Sequence, residues 1–158
     1  MAEDINTGLA ADERAKLAQG LSKLLAQTYG AYLKTHGYHW NVRGPNFAAL
    51  HQLFMTQYTE QWAAIDTIAE RIRALGALAP QGYKVFAELG SIKDGDPEKS
   101  AEEMLADLLA DQEAVVATGR ELLPTAQKIG DEVTTSLLSD RLTAHEKHAW
   151  MLRASLGR

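Results

Sequence analysis

Residues 45–76 read PNFAALHQLFMTQYTEQWAAIDTIAERIRALG, and this stretch decides the fold. Its apolar side chains recur every three or four residues, at Phe47, Leu50, Phe54, Tyr58, Ile65, Ile68, Ile72 and Leu75. That spacing is typical of one face of an α-helix, and a continuous helix here would be about 45 Å long. Because helices of this length are stabilised by packing side by side, the stretch predicts a helical bundle.

Three further segments repeat this helical spacing, at residues 17–33, 104–123 and 133–152. No segment alternates apolar and polar side chains as a strand does, so we predict an all-α, four-helix bundle. Residues 82–91 contain Tyr83, Val85 and Phe86 and are predicted to form a short helix in the connection between the second and third helices.

Glycine and proline mark the predicted helix ends. Gly44 and Pro45 separate the first helix from the second. Asp96 is predicted to be the N-cap of the third helix, with Pro97 at its first helical position.

The later helices have two further breakpoints. Pro124 lies late in the third helix and is expected to kink it or end it, and the pattern leaves both open. Gly130 followed by Asp131 predicts the end of one helix and the start of the next.

Composition limits the class of protein. The chain has 158 residues, of which 46% are hydrophobic and 23% charged, and its formal net charge is -5. These values predict one globular domain over residues 1–158, with a short N-terminal tail at about residues 1–8. Cysteine is absent, which excludes disulfides, thiolate zinc sites and a cysteine nucleophile. With neither a signal-peptide pattern nor an apolar run of roughly 20 residues, we expect a cytoplasmic protein that does not enter membranes.

Several common active-site motifs are missing from the sequence. It contains no phosphate-cradling G-x-x-x-x-G-K-[ST] or G-x-G-x-x-G motif and no G-x-S-x-G motif. His145 and His148 are three residues apart, so they do not form the H-E-x-x-H motif of zinc proteases. No Glu-x-x-His pair is present, so we expect no iron site in the centre of a single bundle.

Two carboxylates, Asp66 and Glu70, are candidates for a metal site. They are four residues apart and therefore share a helix face, beside the apolar stripe of the second helix. Carboxylates close to apolar surface need a partner. A metal ion is one possible partner, an ion pair with Arg71 or Arg73 is another, and plain solvent exposure is the third alternative.

His39 and His51 are the other candidate ligands, and their distance from the carboxylates limits how a site can form. His51 and Asp66 are 15 residues apart on one predicted helix, which corresponds to about 22 Å along its axis. One chain therefore cannot place both on the same ion. If all four residues serve one site, two antiparallel chains must meet, and their two-fold axis creates a second identical site.

Five segments together resemble the signature of a known family. They are HWNVRGPNF at 39–47, LH at 50–51, DTIAERI at 66–72, LG at 75–76 and HAWMLR at 148–153. In their order and spacing they are similar to the Dps proteins, the miniferritins or DNA-protection-during-starvation proteins, over about residues 16–157. The combination of H-W-N-V-x-G with D-x-x-A-E-R at this distance is specific.

This resemblance implies a ferritin-like fold, a homododecameric hollow shell and ferroxidase centres between subunits. The implied ligands are His39 and His51 of one subunit with Asp66 and Glu70 of its two-fold mate. There Fe(II) would be oxidised by hydrogen peroxide and stored as ferric mineral, which protects DNA from oxidative damage. Imidazole and carboxylate ligands suit iron and would also accept zinc.

The sequence departs from the family pattern at Met55. An acidic residue often stands four positions after the second histidine, and a thioether is a poor ligand for Fe(III). The second iron of the centre is therefore expected to be weak, held by water or absent. An alternative function is a shell with weakened ferroxidase activity that sequesters metal.

Aromatic residues near the implied centre have two alternative roles. By resemblance, Trp40, which directly follows a ligand, and Trp62, one turn before Asp66, would intercept oxidising radicals. Trp40 is equally suited to anchoring a subunit interface. His36 is expected to support the site or lie on the surface, and His148 and His145 are expected to be structural rather than metal ligands.

Acidic residues at the start of the last helix resemble the iron-entry pores of the family. Asp131, Glu132 and Asp140 lie in this region, while Ser136 stands where an acid is often found. A ring of such carboxylates would concentrate Fe(II). Asp131 and Glu132 equally suit a helix N-terminus.

A nucleoid-associated, DNA-binding protection protein is the second alternative function. Residues 1–16 contain four acidic and two basic side chains, and the whole chain is acidic. Non-specific DNA binding depends on neutralising phosphates with Lys and Arg. We therefore predict weak or no DNA binding near neutral pH at physiological salt.

Overall fold

The computed structural model describes residues 5–158, which form five helices. They are α1 (Ala11–Asn41), α2 (Phe47–Ala74), α3 (Tyr83–Leu89), α4 (Ala101–Ile129) and α5 (Glu132–Ser155). Residues 5–158 contain no strand. The prediction of an all-α bundle with a short helix between its second and third long helices is therefore confirmed.

The four long helices pack unevenly. Helix α1 packs along α2 and against α4, and α4 packs along α5, whereas α2 and α5 touch only sparsely. The short α3 lies against α1, where Phe86 stacks on Tyr29 with ring centroids 4.7 Å apart. The sparse contact leaves a groove of about 790 Å³ between α2 and α5.

The turn between α1 and α2 depends on Gly44. Its φ of 120° is a conformation that side-chain-bearing residues rarely adopt, so glycine is required here. The amide of Phe47 donates to the carbonyl of Gly44 at 3.0 Å, and the helix starts at Phe47, two residues later than Pro45. The turn places the end of α1 beside the start of α2.

The prediction for the start of the third long helix is wrong. Helix α4 begins at Ala101 with Ser100 as its N-cap, not at Pro97 with Asp96 as the cap. Ser100 accepts a hydrogen bond from the amide of Glu103 at 3.2 Å, and the Glu103 carboxylate accepts one from the Ser100 amide at 2.7 Å. This reciprocal capping box satisfies two free amides, whereas the Asp96 carboxylate accepts only from the amide of Glu98 in a local turn.

The two later breakpoints behave differently. Helix α4 continues through Pro124 to Ile129, so the proline does not end it. Gly130 ends α4 in the left-handed conformation with a φ of 80°, and Asp131 caps α5 as predicted. The exposed position of Pro124 places it on the solvent side of the helix.

The core of the bundle is split into two apolar clusters. One surrounds residues that include Leu21, Ile68 and Leu138, and the other surrounds residues that include Phe54 and Leu108. Seven buried polar side chains of α2, α4 and α5 lie between the two clusters, at Gln57, Gln61, Asp111, Gln112, Arg141, His145 and His148. A buried polar layer therefore crosses the middle of the bundle.

The N-terminus is described only in part. Of the predicted tail at residues 1–8, residues 1–4 lie outside the described residues, and so do Glu3 and Asp4 of the N-terminal charge count. Residues 5–10 are not helical. Within residues 5–158, every helix is too short or too polar to cross a membrane.

Candidate functional site: a shared metal centre

His39 and His51 form one compact unit, called here the histidine pair. His39 lies in the last turn of α1 and His51 in the second turn of α2, and the tight turn at Gly44 brings them together. Their rings stack with centroids 3.7 Å apart and an angle of 13° between the planes. Two hydrogen bonds of 2.7 Å run in opposite directions, from each Nδ1 to the backbone carbonyl of the other histidine.

These two bonds determine which ring nitrogen is free in each histidine. A carbonyl oxygen can only accept, so each Nδ1 carries the proton and donates it. In the neutral ring the Nε2 atom then keeps its lone pair. A backbone hydrogen bond that fixes the tautomer in this way is the usual support for a metal-binding imidazole.

Aromatic rings surround the histidine pair. Tyr58 contacts His39 with ring centroids 5.1 Å apart and stacks on His36 at 4.1 Å. Trp40 packs against His36 at 4.2 Å, yet 64% of its surface is exposed. Burial and, to a lesser extent, the neighbouring His39 lower the pKa of His36, which favours the uncharged ring beside the pair.

Asp66 and Glu70, called here the carboxylate pair, lie on the second half of α2. Both side chains are exposed, and neither has an ion-pair partner within residues 5–158. The alternative of an ion pair with Arg71 is wrong, because the Arg71 guanidinium binds Asp131 at 2.8 Å. In this chain the carboxylate pair is therefore exposed to solvent, as the third alternative states, and its oxygens are accessible to a ligand.

The histidine pair and the carboxylate pair do not meet within the chain. His51 and Asp66 lie on the same unbroken helix, and 15 residues at 1.5 Å per residue separate them by about 22 Å. Within residues 5–158, no three or more His, Asp or Glu side chains are grouped to hold a metal ion. If these residues form a centre, each chain contributes half of it.

The acidic residues at the start of α5 separate into two kinds. Asp131 is buried and accepts hydrogen bonds from Arg71 and Thr134, so its role is that of the helix cap rather than of an open pore. Burial alone would raise the pKa of Asp131, but the hydrogen bonds from Thr134 and Arg71 outweigh it and lower that pKa. Glu132 and Asp140 are exposed and line the groove between α2 and α5.

A second polar group fills the bundle centre, and most of it was not singled out from the sequence. This interior network consists of Glu60, Gln112, Arg141, His145 and His148. The Arg141 guanidinium binds both oxygens of Glu60, at 2.5 and 2.8 Å, and Glu60 Oε1 also accepts from Nε2 of His148 at 3.1 Å. His145 and His148 are thus engaged in hydrogen bonds within the chain.

The interior network shifts the pKa values of its members. Burial alone would raise the pKa of Glu60, but the hydrogen bonds from Arg141 and His148 outweigh it and hold that pKa well below its usual range. Burial, together with the positive charge of Arg141, lowers the pKa of His145 to about 3. The network therefore contains a carboxylate and a neutral imidazole around one permanent cation.

Three polar positions on the core-facing side of α2 indicate this network in the sequence. Gln57, Glu60 and Gln61 interrupt the apolar stripe of α2 between Phe54 and Ile68. Polar side chains on a core-facing stripe need hydrogen-bond partners inside the bundle. The sequence does not say which residue of another helix supplies them.

Comparison with known proteins relates this arrangement to a family. The model of the ferritin-like domain family matches residues 18–158. The DNA protection during starvation protein 2 of Bacillus anthracis is 39% identical over 136 residues, which cover 86% of this chain and 93% of that protein. The DNA protection during starvation protein of Brevibacillus brevis is 36% identical and covers 86% of this chain and 91% of its own.

Solved structures agree with this relationship. The Dps protein of Vibrio cholerae O1, described as a ferritin-like diiron-carboxylate protein, superposes with a TM-score of 0.92 at 34% identity, covering 99% of this chain and 98% of its own. DpsC from Streptomyces coelicolor superposes with a TM-score of 0.95 at 30% identity, covering 99% and 92%. With the family model, the sequence relatives and the superpositions in agreement, the chain belongs to the Dps family of ferritin-like proteins.

Proposed function

We propose that this protein oxidises and stores iron. Fe(II) is the substrate, hydrogen peroxide is the oxidant, and the ferric product is kept as mineral inside a hollow shell of twelve chains. Removing Fe(II) and peroxide together protects DNA from the radicals that they generate. Each reaction centre combines the histidine pair of one chain with the carboxylate pair of its neighbour.

The observation that carries this proposal is the reciprocal hydrogen bonding of the histidine pair. Both Nδ1 atoms donate to backbone carbonyls, so both Nε2 lone pairs are available for a cation. Imidazole nitrogen and carboxylate oxygen together form a donor set that suits iron, and zinc would compete as a substitute. Within residues 5–158 the carboxylate pair has no ion-pair partner, which supports a site completed by a second chain.

Exposed aromatic side chains on the same face support contact between chains. Trp40, Phe47 and Trp62 are 64%, 43% and 61% exposed, and all three lie close to one of the two pairs in sequence. Large exposed apolar side chains that cluster around polar residues mark interaction surfaces. A two-fold contact across this face would bury them and create two identical centres.

The oxidation chemistry needs two electrons for each molecule of hydrogen peroxide. Two Fe(II) ions supply them, and two protons complete the reaction to two Fe(III) and two water molecules. The histidine and carboxylate pairs bind one ion firmly, while Met55, half-buried one turn after His51, adds no hard ligand for a second. A shell that sequesters metal with slow oxidation is therefore the second candidate function, and Met55 is the residue that favours it.

Trp40 is proposed to intercept oxidising radicals that escape from the centre. Its indole contacts His36 and follows His39 directly in the chain, so a radical formed at the ion meets it early. In such a step the indole gives one electron and a proton to a hydroxyl radical, which becomes water. Electron paramagnetic resonance of samples frozen after peroxide addition tests this role, since Trp40→Phe should remove a tryptophan radical signal.

Complementation between two inactive variants tests the shared centre. One variant carries His39→Ala and His51→Ala, and the other carries Asp66→Ala and Glu70→Ala. Fe(II) oxidation by hydrogen peroxide is followed anaerobically by near-ultraviolet ferric absorbance, with soluble iron measured after gel filtration. We expect each variant alone to match the protein-free blank and a co-expressed mixture to recover about a quarter of the sites, because random pairing makes that share intact.

The matched control replaces an exposed acid elsewhere, with Glu102→Ala on α4, and should leave the rate unchanged. If the carboxylate variant alone oxidises Fe(II) at the wild-type rate, the carboxylate pair does not bind the substrate. If both variants are inactive and the mixture recovers nothing, the centre is not shared between chains. A wild-type trace equal to the blank would instead favour the sequestering function.

A further inference from the structure

The interior network places metal-binding side chains around a cationic side chain. Ferritin-like bundles commonly build their metal sites in the bundle core, from side chains on facing helices. Here the same location is filled by Glu60 on α2, Gln112 on α4, and Arg141, His145 and His148 on α5. The cation among these side chains is the guanidinium of Arg141.

One atom of Arg141 lies where two ligand atoms converge. Its Nη2 is 2.8 Å from Oε1 of Glu60 and 2.9 Å from Nε2 of His145. A guanidinium nitrogen can only donate, so the Nε2 lone pair of His145 is directed at it. The Nδ1 of the same ring donates to the side-chain oxygen of Gln112 at 2.6 Å, which fixes the tautomer.

This arrangement repeats the features that support a metal-binding histidine. The imidazole is neutral, its proton is held on Nδ1 by a hydrogen bond, and its lone pair faces a positive charge that a carboxylate also contacts. Nε2–H of His148 donates to the same carboxylate oxygen at 3.1 Å and so holds Glu60 in place, as an outer hydrogen bond does for a metal-binding carboxylate. The arrangement differs from a metal site in its cation, which is a guanidinium here and would be a metal ion there.

The surroundings contain further polar atoms without a partner. Both side-chain amide atoms of Gln61 and the side-chain oxygen of Gln57 are buried and make no hydrogen bond with any part of residues 5–158, and neither does Nε of Arg141. Such atoms can bind water molecules that complete the coordination of an ion. The side chains of this layer therefore contain more hydrogen-bonding atoms than they use among themselves.

We propose that the interior network would bind a divalent metal ion if the guanidinium of Arg141 did not occupy the position of that ion. The side chain thereby keeps divalent metal ions out of the bundle. This inference is independent of the proposed function, since it concerns the binding of a metal to a single chain. An ion pair that served stability alone would lose stability when Arg141 is removed but would gain no metal.

The test removes the guanidinium in a background that cannot bind metal between chains. The background carries His51→Ala and Asp66→Ala, and Arg141→Ala is added to it. Co(II) is titrated into the assembled protein by calorimetry, and its visible ligand-field absorption reports nitrogen and oxygen ligands. We expect Arg141→Ala to gain about one Co(II) per chain, because it frees the ligand atoms now held by the guanidinium.

Two further variants make the test specific. Adding His145→Gln to the Arg141→Ala chain should abolish the gained Co(II) by removing the imidazole. Arg153→Ala, which removes an exposed arginine of the same helix from its pair with Glu113, should gain none. Titration that shows no additional Co(II) in Arg141→Ala overturns the proposal, as does Co(II) binding of the background chain that depends on His145 while Arg141 is present.

Poor folding of Arg141→Ala does not remove the test. An ion that binds only the folded chain stabilises it by mass action. The proposal then expects Zn(II) or Co(II), added during refolding, to raise the yield of folded Arg141→Ala and to leave that of Arg141→Ala with His145→Gln unchanged. Circular dichroism and gel filtration measure the yield, and no rescue by either ion overturns the proposal.

Discussion

Two regions of the molecule hold imidazoles for which carboxylates are the natural partners, and they differ in how their charges are compensated. In the interior network, Glu60 already has a cation, and both of its oxygens accept hydrogen bonds from Arg141. The histidine pair and the carboxylate pair are about 22 Å apart on the same chain, and neither pair contacts a cation within residues 5–158. Residue type alone does not make a metal site, because the compensating charge decides whether the ligands are free.

The largest expected effect is the loss of iron oxidation when the histidine pair is broken. His51→Ala removes one Nε2 ligand, and oxidation should fall to the level of the protein-free blank. His148→Ala is the matched control, because it removes an imidazole of the interior network and should retain oxidation. Normal turnover by His51→Ala would exclude the histidine pair as the reaction centre.

The next effect is a loss of stability in the other region. Glu60→Ala leaves the buried Arg141 without its carboxylate, and we expect the free energy of unfolding to fall by about 2–3 kcal/mol, since Glu60 is partly exposed and screened. Urea denaturation at fixed protein concentration measures it. The exposed pair of Arg153 and Glu113 is the control: Glu113→Ala should cost about 0–1 kcal/mol. Equal costs for the two substitutions would mean that the interior pair adds no more than a surface pair.

An effect of at most the same size concerns pH and is specific to the interior network. The folded pKa of His145 is lowered from 6.5 to about 3, so folding favours the neutral ring. Its contribution to stability is present above pH 6.5 and is lost as the pH falls towards 3, because the unfolded chain takes up the proton first. We expect His145→Gln to reduce the loss of stability between pH 6.5 and 4.5 by up to about 1.4 kcal/mol per pH unit.

The titration of Asp111 changes stability in the opposite direction over part of this pH range, so the experiment on His145 needs a control for Asp111. Burial, against the hydrogen bond from Lys34, raises the pKa of Asp111 to about 6. Its contribution is therefore present below its unfolded pKa and is lost as the pH rises through 6. Denaturation curves from pH 4.5 to 7 should be recorded with Asp111→Asn in both backgrounds. Parallel curves for wild type and His145→Gln would show that His145 does not cause the acid sensitivity.

A substitution at Met55 tests whether the shared centre can hold a second iron ion. Met55→Glu adds a hard oxygen ligand one turn after His51, and we expect the Fe(II) bound per centre to rise from about one to about two. Anaerobic Fe(II) titration measures this stoichiometry. Met55→Gln, which adds a neutral oxygen of similar size, should bind less than Met55→Glu. An unchanged stoichiometry would place the second ion away from this residue.

The smallest expected effect is on DNA. With a net charge of -5 per chain, the assembled protein should retard linear duplex DNA weakly or not at all in a gel shift at physiological salt and neutral pH. A positively charged variant such as Glu132→Lys gives the direction of any electrostatic contribution. A tight, salt-sensitive complex with the wild-type chain would contradict this prediction.

Much of the fold was predictable, because the helical spacing of apolar residues is long and regular. The same spacing placed the histidine pair and the carboxylate pair too far apart for one ion. The start of α4 was missed, although Ser100 and Glu103 have the spacing of a capping box, because Pro97 gave a competing signal. The pairing of Glu60 with Arg141 was out of reach, since it joins residues 81 apart whose meeting depends on how the helices pack.

The hydrogen bonds of the histidine pair also act as a reversible crosslink between α1 and α2. They join residues 12 apart and hold the corner between α1 and α2 closed at both ends. Closing a loop reduces chain entropy, so an ion that bridges the two rings would tighten the corner further. Amide hydrogen exchange at residues 42–50 should therefore slow when iron or zinc binds. Exchange at these backbone amides therefore reports whether the histidine pair holds a metal ion, even a metal ion without visible absorption.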